Sequence, residues 1–398
     1  MTLGRYRAFI DDWAAFLEAV TRPEPTVFRV RTGRITESAL IERLEAQGHR
    51  VRPLTGLPGF FEVVSGPVPI SMTVEHWLGL LYVQQASTGV AAPQLGPEPG
   101  ERVLDLCSAP GGKTTHIAEL MRDTGCLVAS EISESRIRGL LGNVYKLGHT
   151  GIMVVAGDGR EFPGGALFDR VLLDAPCTGE GTLRRRGGHL PEPSSGFIGH
   201  VTRAQRGLLE RAVRLTRPGG TILYVTCTFA PEENEAVVSD ALERLPVELE
   251  PLRLPVPHAP GLTHFGGQRY DARLEGAARI YPHHIDSGGL FLAKLVRLDD
   301  GEADPDAGWS PVPPIFPEVE ADGTEAPAEP RDAADDQLLL DHGIAEVQER
   351  FDVRRPLKDF GWIMRGGRAW IHTLTEWPLA SWVPGAWRPI SVGIRAIE

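Results

Sequence analysis

Two cysteines stand in settings that suit chemistry. Cys177 closes the run Asp174-Ala-Pro-Cys177, and Cys227 lies in Thr226-Cys227-Thr228, 50 residues further on. A buried cysteine is usually a small hydrophobe, and Cys107 and Cys126 suit that reading as thiols. Two cysteines that each follow an apolar run, one beside an acid and a proline, are harder to explain by packing. With only four cysteines in 398 residues, a disulfide scaffold is excluded. A reducing cytoplasm is the expected compartment, and each thiol is a candidate nucleophile.

A second group surrounds Asp105-Leu-Cys-Ser-Ala-Pro-Gly-Gly-Lys113-Thr-Thr-His116. A Gly-Gly turn that runs into a helix brings backbone N–H groups close to a ligand. The phosphate-loop pattern requires glycine where Cys107 stands, so that motif fails by one residue. Glu131 falls about 20 residues beyond the glycines, the spacing of an acid that holds two ribose hydroxyls. A surface glutamate is the alternative. Asp158, in Gly157-Asp158-Gly159, is a further strand-ending acid or a simple turn aspartate. Acids at the ends of three apolar runs, without a phosphate loop, suit a nucleoside that carries no phosphate. S-adenosylmethionine is such a ligand.

These residues need a frame. From 101 to 298 apolar runs alternate with helical stretches: 102–109, then 113–122; 126–132, then 134–147; 152–158; 170–177; a helix near 202–216; 221–227; and 232–245. That alternation predicts an α/β fold, a doubly wound, Rossmann-like parallel sheet. Ligands in such sheets bind at the carboxyl ends of the strands, where all the residues above fall. Upstream, residues 5–20 read as an amphipathic helix. A strand carrying Arg29 and Arg31 then leads through Thr36-Glu37 into a second helix, as in a small accessory domain.

The net charge of −12 argues against a nucleic-acid partner only until it is located. Residues 299–336 hold thirteen acids and one base, which accounts for all of it. The rest of the chain is balanced and free to carry basic faces. The acidic stretch is Pro-rich and reads as a disordered linker. Beyond it, residues 337–398 contain five of the eight tryptophans and read as a small β-rich domain with most of them in its core. Hydrophobic residues at 42% suit a folded chain, and the sequence offers no run of 18 apolar residues for a membrane span.

The motifs CSAPGGK, DAPC and TCT, in that order and at the ends of three predicted strands, resemble the Sun-type RNA cytosine-C5 methyltransferases. Arg184-Arg185, Gln205-Arg206, Pro218-Gly-Gly220 and Glu233-Asn234-Glu235 extend the likeness. The acidic linker and Trp-rich tail resemble the bacterial small-subunit ribosomal RNA members, which carry a PUA-like C-terminal domain. The resemblance implies an N-terminal RNA-recognition domain over 1–72, a catalytic domain over 73–298, the linker over 299–336 and a PUA-like domain over 337–398. It implies a cytoplasmic monomer that acts on ribosomal RNA or the 30S subunit, without a metal. A transfer RNA enzyme of the same chemistry, or a silent RNA-binding assembly factor, are the alternatives.

The resemblance also assigns roles. Cys107, Ser108, Ala109, Pro110, Gly111, Gly112 and Lys113 would hold the methionine part of S-adenosylmethionine, Glu131 the ribose and Asp158 the adenine side. Asp174 would contact both the cofactor and the cytosine edge. Cys227 would be the nucleophile and Cys177 would assist product release. Carbon 5 of cytosine is too weak a nucleophile to take a methyl group unaided. A thiolate added at carbon 6 makes the ring an enamine and activates carbon 5. Arg184, Arg185 and Arg186 follow the DAPC motif and are expected to meet RNA phosphate. His283 and His284 suit hydrogen bonding better than metal ligation.

Overall fold

The apolar runs become the strands of one sheet because they are buried on both faces. In this computed structural model, residues 3–164, 167–187, 195–299, 301, 307–312, 340–341, 344–345, 357–365, 368–378 and 387–397 are described. Chain-order labels β1 to β4 belong to an N-terminal sheet: β1 Val27–Val30, β2 Arg50–Pro53, β3 Phe60–Ser65 and β4 Leu81–Val83. The central sheet follows with β5 Arg102–Asp105, β6 Cys126–Glu131, β7 Ile152–Ala156, β8 Phe168–Asp174 and β9 Thr216–Thr226. These five are parallel, in the order β7-β6-β5-β8-β9. The helices at Gly112–Leu120, Glu134–Leu147, Ser195–Leu215 and Glu235–Arg244 cover the faces. Two apolar cores, one on each face, contain the strand residues alternately.

Strand order reverses beside β5, between β6 and β8, so a crevice opens there at the carboxyl ends. Asp105 ends β5 and Asp174 ends β8. Asp174 pairs with Val225 of β9, so Cys177 and Cys227 leave neighbouring strand tips. On the far side of β9 the strands Ala278–Ile280 and Leu290–Arg297 add in antiparallel register.

The N-terminal sheet has the order β2-β3-β1-β4, so it extends past the expected boundary at residue 72 to Val83. Thr36 caps the helix Glu37–Ala46 by accepting from the Ala39 N–H at 3.3 Å. Arg29 and Arg31 are buried rather than solvent-facing. Arg29 donates to Thr115 Oγ1 at 3.1 Å and lies 3.4 Å from Glu119. Arg31 pairs with Asp123 at 2.7 Å. Both arginines bolt this sheet to the body built on the central sheet. Residues 3–21 also belong to that body, because Tyr6, Ile10 and Phe16 pack with Leu183, Phe229 and Tyr281.

The tail differs from a freely moving module. Arg388–Val392 adds antiparallel to β7 at the edge of the central sheet. Trp370, Trp377 and Trp387 are buried in the apolar core of the central sheet. Trp387 donates to the Glu161 carbonyl at 3.0 Å. Residues 307–312 lie inside the stretch read as disordered, yet they are ordered. Ser310–Pro311 pairs with Glu376–Trp377, and Trp309 lies under the Arg102 guanidinium at 4.7 Å. Residues 313–339 and Trp382 fall outside the described residues.

One buried ion pair anchors the β9 side. Arg279 is 1% exposed, meets Glu235 with two nitrogens and donates to the Phe229 carbonyl at 3.0 Å. Arg279→Leu strands a carboxylate that is itself fully buried. Loss of one partner of such a pair costs about 3–5 kcal/mol. Urea unfolding should show that loss; a midpoint within about 0.5 kcal/mol of wild type would contradict it.

Candidate active site

The strand tips bring the two thiols into contact. Cys177 Sγ and Cys227 Sγ are 3.4 Å apart. The two loops are cross-linked by two carboxylates. Glu233, on the Cys227 side, accepts from Thr178 N at 2.9 Å and Thr178 Oγ1 at 2.6 Å. Glu180, on the Cys177 side, accepts from Thr228 Oγ1 at 3.1 Å and Phe229 N at 3.2 Å. The Tyr6 hydroxyl donates into Glu180 at 2.6 Å, so the N-terminal segment reaches the thiol loops. Burial pushes the Glu233 carboxyl up, against the donors from Thr178 and Gln205.

The thiols are not equivalent. The 3.4 Å contact with Cys177, in which either sulfur can donate, draws the Cys227 thiol down, and the nearby Lys113 ammonium adds to this. Burial and Asp174 oppose both effects. The same contact with Cys227, together with burial, pushes Cys177 well up. Within the pair the contact thus favours the thiolate on Cys227 and the thiol on Cys177.

Lys113 Nζ donates to Asp174 Oδ2 at 2.7 Å. Burial alone would lower the Lys113 pKa, but the Asp174 carboxylate overrides it and the ammonium is favoured. Lys113 is thus part of the thiol site, whereas the resemblance placed it only in the cofactor loop. Gly111 takes φ +102° at the start of its helix, a conformation that favours glycine. Ser108 is fixed by its N–H and Oγ, both donating to the Ser130 carbonyl at 2.9 Å.

One cavity of about 560 Å³ joins the thiols to the strand ends, and of the loop 107–113 only Cys107 lines it. Cys107, Glu131, Asp158 and Asp174 line it together with Cys177 and Cys227. Glu131 is 2% exposed; its Oε1 accepts from Ser133 N at 3.0 Å, and Arg136 lies 3.1 Å from Oε2. Asp158 accepts from Arg160 N at 3.0 Å and also binds its guanidinium, which holds its pKa down. Ile132 and Leu208 add an apolar wall that sequence reasoning passed over. Ile132 is 63% exposed directly after Glu131, an apolar side chain left open where a flat ring has room.

Of the three consecutive arginines, Arg184 is not available to RNA phosphate. It is buried and bonds the carbonyls of Arg22, Pro23 and Ser287, with Asp286 at 2.8 Å. Its role is to clamp the N-terminal segment to the DAPC loop. Arg185 and Arg186 are exposed, and Arg186 lines the cavity. His283 and His284 meet the Asp11 carboxylate at 3.0 and 3.1 Å.

Asp105, at the tip of β5, accepts from Thr114 Oγ1 at 2.7 Å, yet burial pushes its carboxyl up to about 7. Between the unfolded value near 4 and 7 the folded protein binds the extra proton, so stability falls as pH rises through that window. Asp105→Asn should therefore be roughly neutral at pH 5 and stabilise by about 1–3 kcal/mol at pH 8. Equal shifts in the unfolding midpoint at both values would contradict this.

The model of the family 16S rRNA methyltransferase RsmB/F matches residues 92–296. The chain is 36% identical over 307 residues to a 28S rRNA (cytosine-C(5))-methyltransferase of Mus musculus, covering 74% of this chain and 38% of that one. It is 33% identical over 316 residues to ribosomal RNA small subunit methyltransferase F of Erwinia tasmaniensis, covering 77% and 64%. It thus spans between about a third and two thirds of the length of these curated relatives. Among solved structures, a methyltransferase homolog protein from Pyrococcus horikoshii superposes with a TM-score of 0.66 at 34% identity, over 74% of this chain and 94% of that one. The matched segment holds β5 to β9 and both thiol loops, and by it the chain belongs to the RsmB/F family of 16S rRNA methyltransferases.

Proposed function

We propose that this chain transfers a methyl group from S-adenosyl-L-methionine to carbon 5 of cytosine in small-subunit ribosomal RNA. The observation that carries the reading is the thiol pair, 3.4 Å apart, in the same cavity as Glu131. The methyl donor, when bound, supplies an electrophilic methyl on a sulfonium. The residues present fit it. The loop Cys107–Gly112 turns at the start of a helix, Glu131 offers carboxylate acceptors to ribose hydroxyls, and Ile132 and Leu208 offer an apolar face.

Cys227 is the thiolate that adds to carbon 6. Its electron pair forms the C–S bond, and the ring's C5–C6 electrons move toward N3 and O2. The Lys113 ammonium, held on Asp174, supplies a donor for the charge that develops there. Asp174 accepts from the exocyclic amine of the base. Once carbon 5 carries the methyl group, water takes its proton, the C–H electron pair re-forms the C5–C6 double bond, and the C–S bond breaks with its pair returning to the Cys227 thiolate. Cys177, beside the leaving sulfur, assists that elimination. The target base reaches the thiols only when unstacked and turned out of the RNA, at a cost of about a few kcal/mol.

Radiolabelled methyl transfer into purified small-subunit ribosomal RNA tests the target; label confined to transfer RNA would overturn it. The cofactor assignment predicts that Glu131→Ala weakens S-adenosylmethionine binding by about 1.5–3 kcal/mol in calorimetric titration. Unchanged affinity would remove Glu131 from the cofactor site.

A further inference from the structure

The two thiols at the strand tips are placed for a second chemistry. Their sulfurs are 3.4 Å apart and a disulfide needs about 2.05 Å, so about 1.4 Å of approach separates two thiols from one bond. We infer that Cys177 and Cys227 form a reversible oxidation site, at which hydrogen peroxide closes a disulfide and stops methyl transfer. The link itself is independent of the substrate, whereas the stop rests on the proposed function.

The loops hold the pair side by side. Glu233 ties Thr178 to the Cys227 loop, and Glu180 ties Thr228 and Phe229 to the Cys177 loop. Gly181 adds a backbone bond to the Cys227 carbonyl at 2.8 Å. With both loops cross-linked, neither sulfur has to search for the other, and a reaction between them is effectively unimolecular. An oxidant can reach them, because both are partly exposed and line the large cavity. Cys126 is fully buried. Cys107 also lines the cavity, but among the described residues only Cys177 and Cys227 bring sulfur against sulfur.

The asymmetry of the pair suits the order of steps. Their contact favours thiolate on Cys227 and thiol on Cys177, and the thiolate is the form that attacks. The Cys227 sulfur bonds to one peroxide oxygen, the O–O bond breaks and hydroxide leaves. Cys227 is then a sulfenic acid, oxidised by two electrons, and the peroxide is reduced by the same pair. Hydroxide takes the Cys177 proton and becomes water. The Cys177 sulfur then bonds to the Cys227 sulfur, and the S–O bond breaks with loss of a second hydroxide. No thiolate remains to add to carbon 6. A dithiol reopens the link by exchange. Without Cys177 the sulfenic acid has no partner, and more peroxide carries it to sulfinic acid, which thiols do not reverse. Cys177 thereby shields the nucleophile.

The test uses the full chain, first reduced and then exposed to hydrogen peroxide. The chain is unfolded, free thiols are blocked with N-ethylmaleimide, and the digested peptides are resolved by mass spectrometry. The Cys177 and Cys227 peptides should appear joined, with two hydrogens lost, while Cys126 is alkylated. Methyl transfer into small-subunit ribosomal RNA should fall by at least about tenfold, as expected when a nucleophile is masked, and return on addition of dithiothreitol. An unchanged circular dichroism spectrum shows that the oxidised chain stays folded. In Cys177→Ser, peroxide should instead add two oxygens to Cys227, and dithiothreitol should not remove them. Wild type in which both cysteines are still alkylated after peroxide, or in which Cys227 carries oxygens and Cys177 stays free, would overturn the site. A joined pair with methyl transfer undiminished would overturn the stop. If the reduced chain methylates no RNA, the functional reading fails, and the joined peptides still decide the oxidation site.

Discussion

Cys227→Ala is expected to abolish methyl transfer while leaving S-adenosylmethionine binding intact. Cys177→Ala should instead accumulate enzyme joined covalently to methylated RNA. The difference follows from the contact at 3.4 Å and the opposite pulls it exerts on the two thiols. Cys227 is the sulfur drawn toward ionisation, by its contact with Cys177 and by the nearby Lys113 ammonium. Without Cys227 no carbon-6 adduct forms, and activation of carbon 5 is lost. The expected fall is to background, at least about 10⁴-fold, as for removal of other nucleophiles. Without Cys177, Cys227 and Lys113 remain and addition proceeds, but elimination is slowed. The adduct should run as a slow band on a denaturing gel and depend on cofactor for its methylated form. The double variant should give no band. A band from Cys227→Ala and none from Cys177→Ala would reverse the assignment.

Lys113→Met should lower the single-turnover rate by about 10²–10³-fold, the scale of losing one positioned donor at a developing anion. It should also move the rising limb of the pH–rate profile to higher pH. The sign follows from the site. The ammonium favours the Cys227 thiolate, so its removal raises the thiol pKa, and more base is needed to reach the reactive form. Lys113→Arg keeps the charge and should recover part of the alkaline shift. An unchanged profile in Lys113→Met would take Lys113 out of the thiol site and leave its contact with Asp174 structural.

The catalytic half of the chain was legible because parallel strands are buried on both faces and read as unbroken apolar runs. Each such run ends at the ligand side, so Asp105, Glu131, Asp174, Cys177 and Cys227 could be placed before any coordinates. Charges without visible partners were not legible. Arg184 read as RNA-facing, and Arg29 and Arg31 as charges carried on a strand, but their partners lie far along the chain, at Thr115, Glu119, Asp123 and the Pro23 carbonyl. Sequence shows a charge and not what neutralises it. The same distance hid Tyr6, 174 residues from its acceptor Glu180. Glu233 left a trace, since an acid just before a helix in Glu233-Asn-Glu marks a helix start, but its bond to Thr178 needed the fold. Composition misled at 307–312, where proline and acid surround a tryptophan that docks on Phe168.

The central claim is that carbon 5 of cytosine is methylated through attack at carbon 6. It is tested most directly by small-subunit ribosomal RNA transcribed with tritium at carbon 5 of cytosine and reacted with deuterated S-adenosylmethionine. Release of tritium is counted, and the digested nucleosides are resolved by mass spectrometry. The account predicts one tritium released for each methyl group gained, with all deuterium in 5-methylcytidine. Deuterium in N4-methylcytidine or on a ribose hydroxyl, with tritium retained, would contradict it.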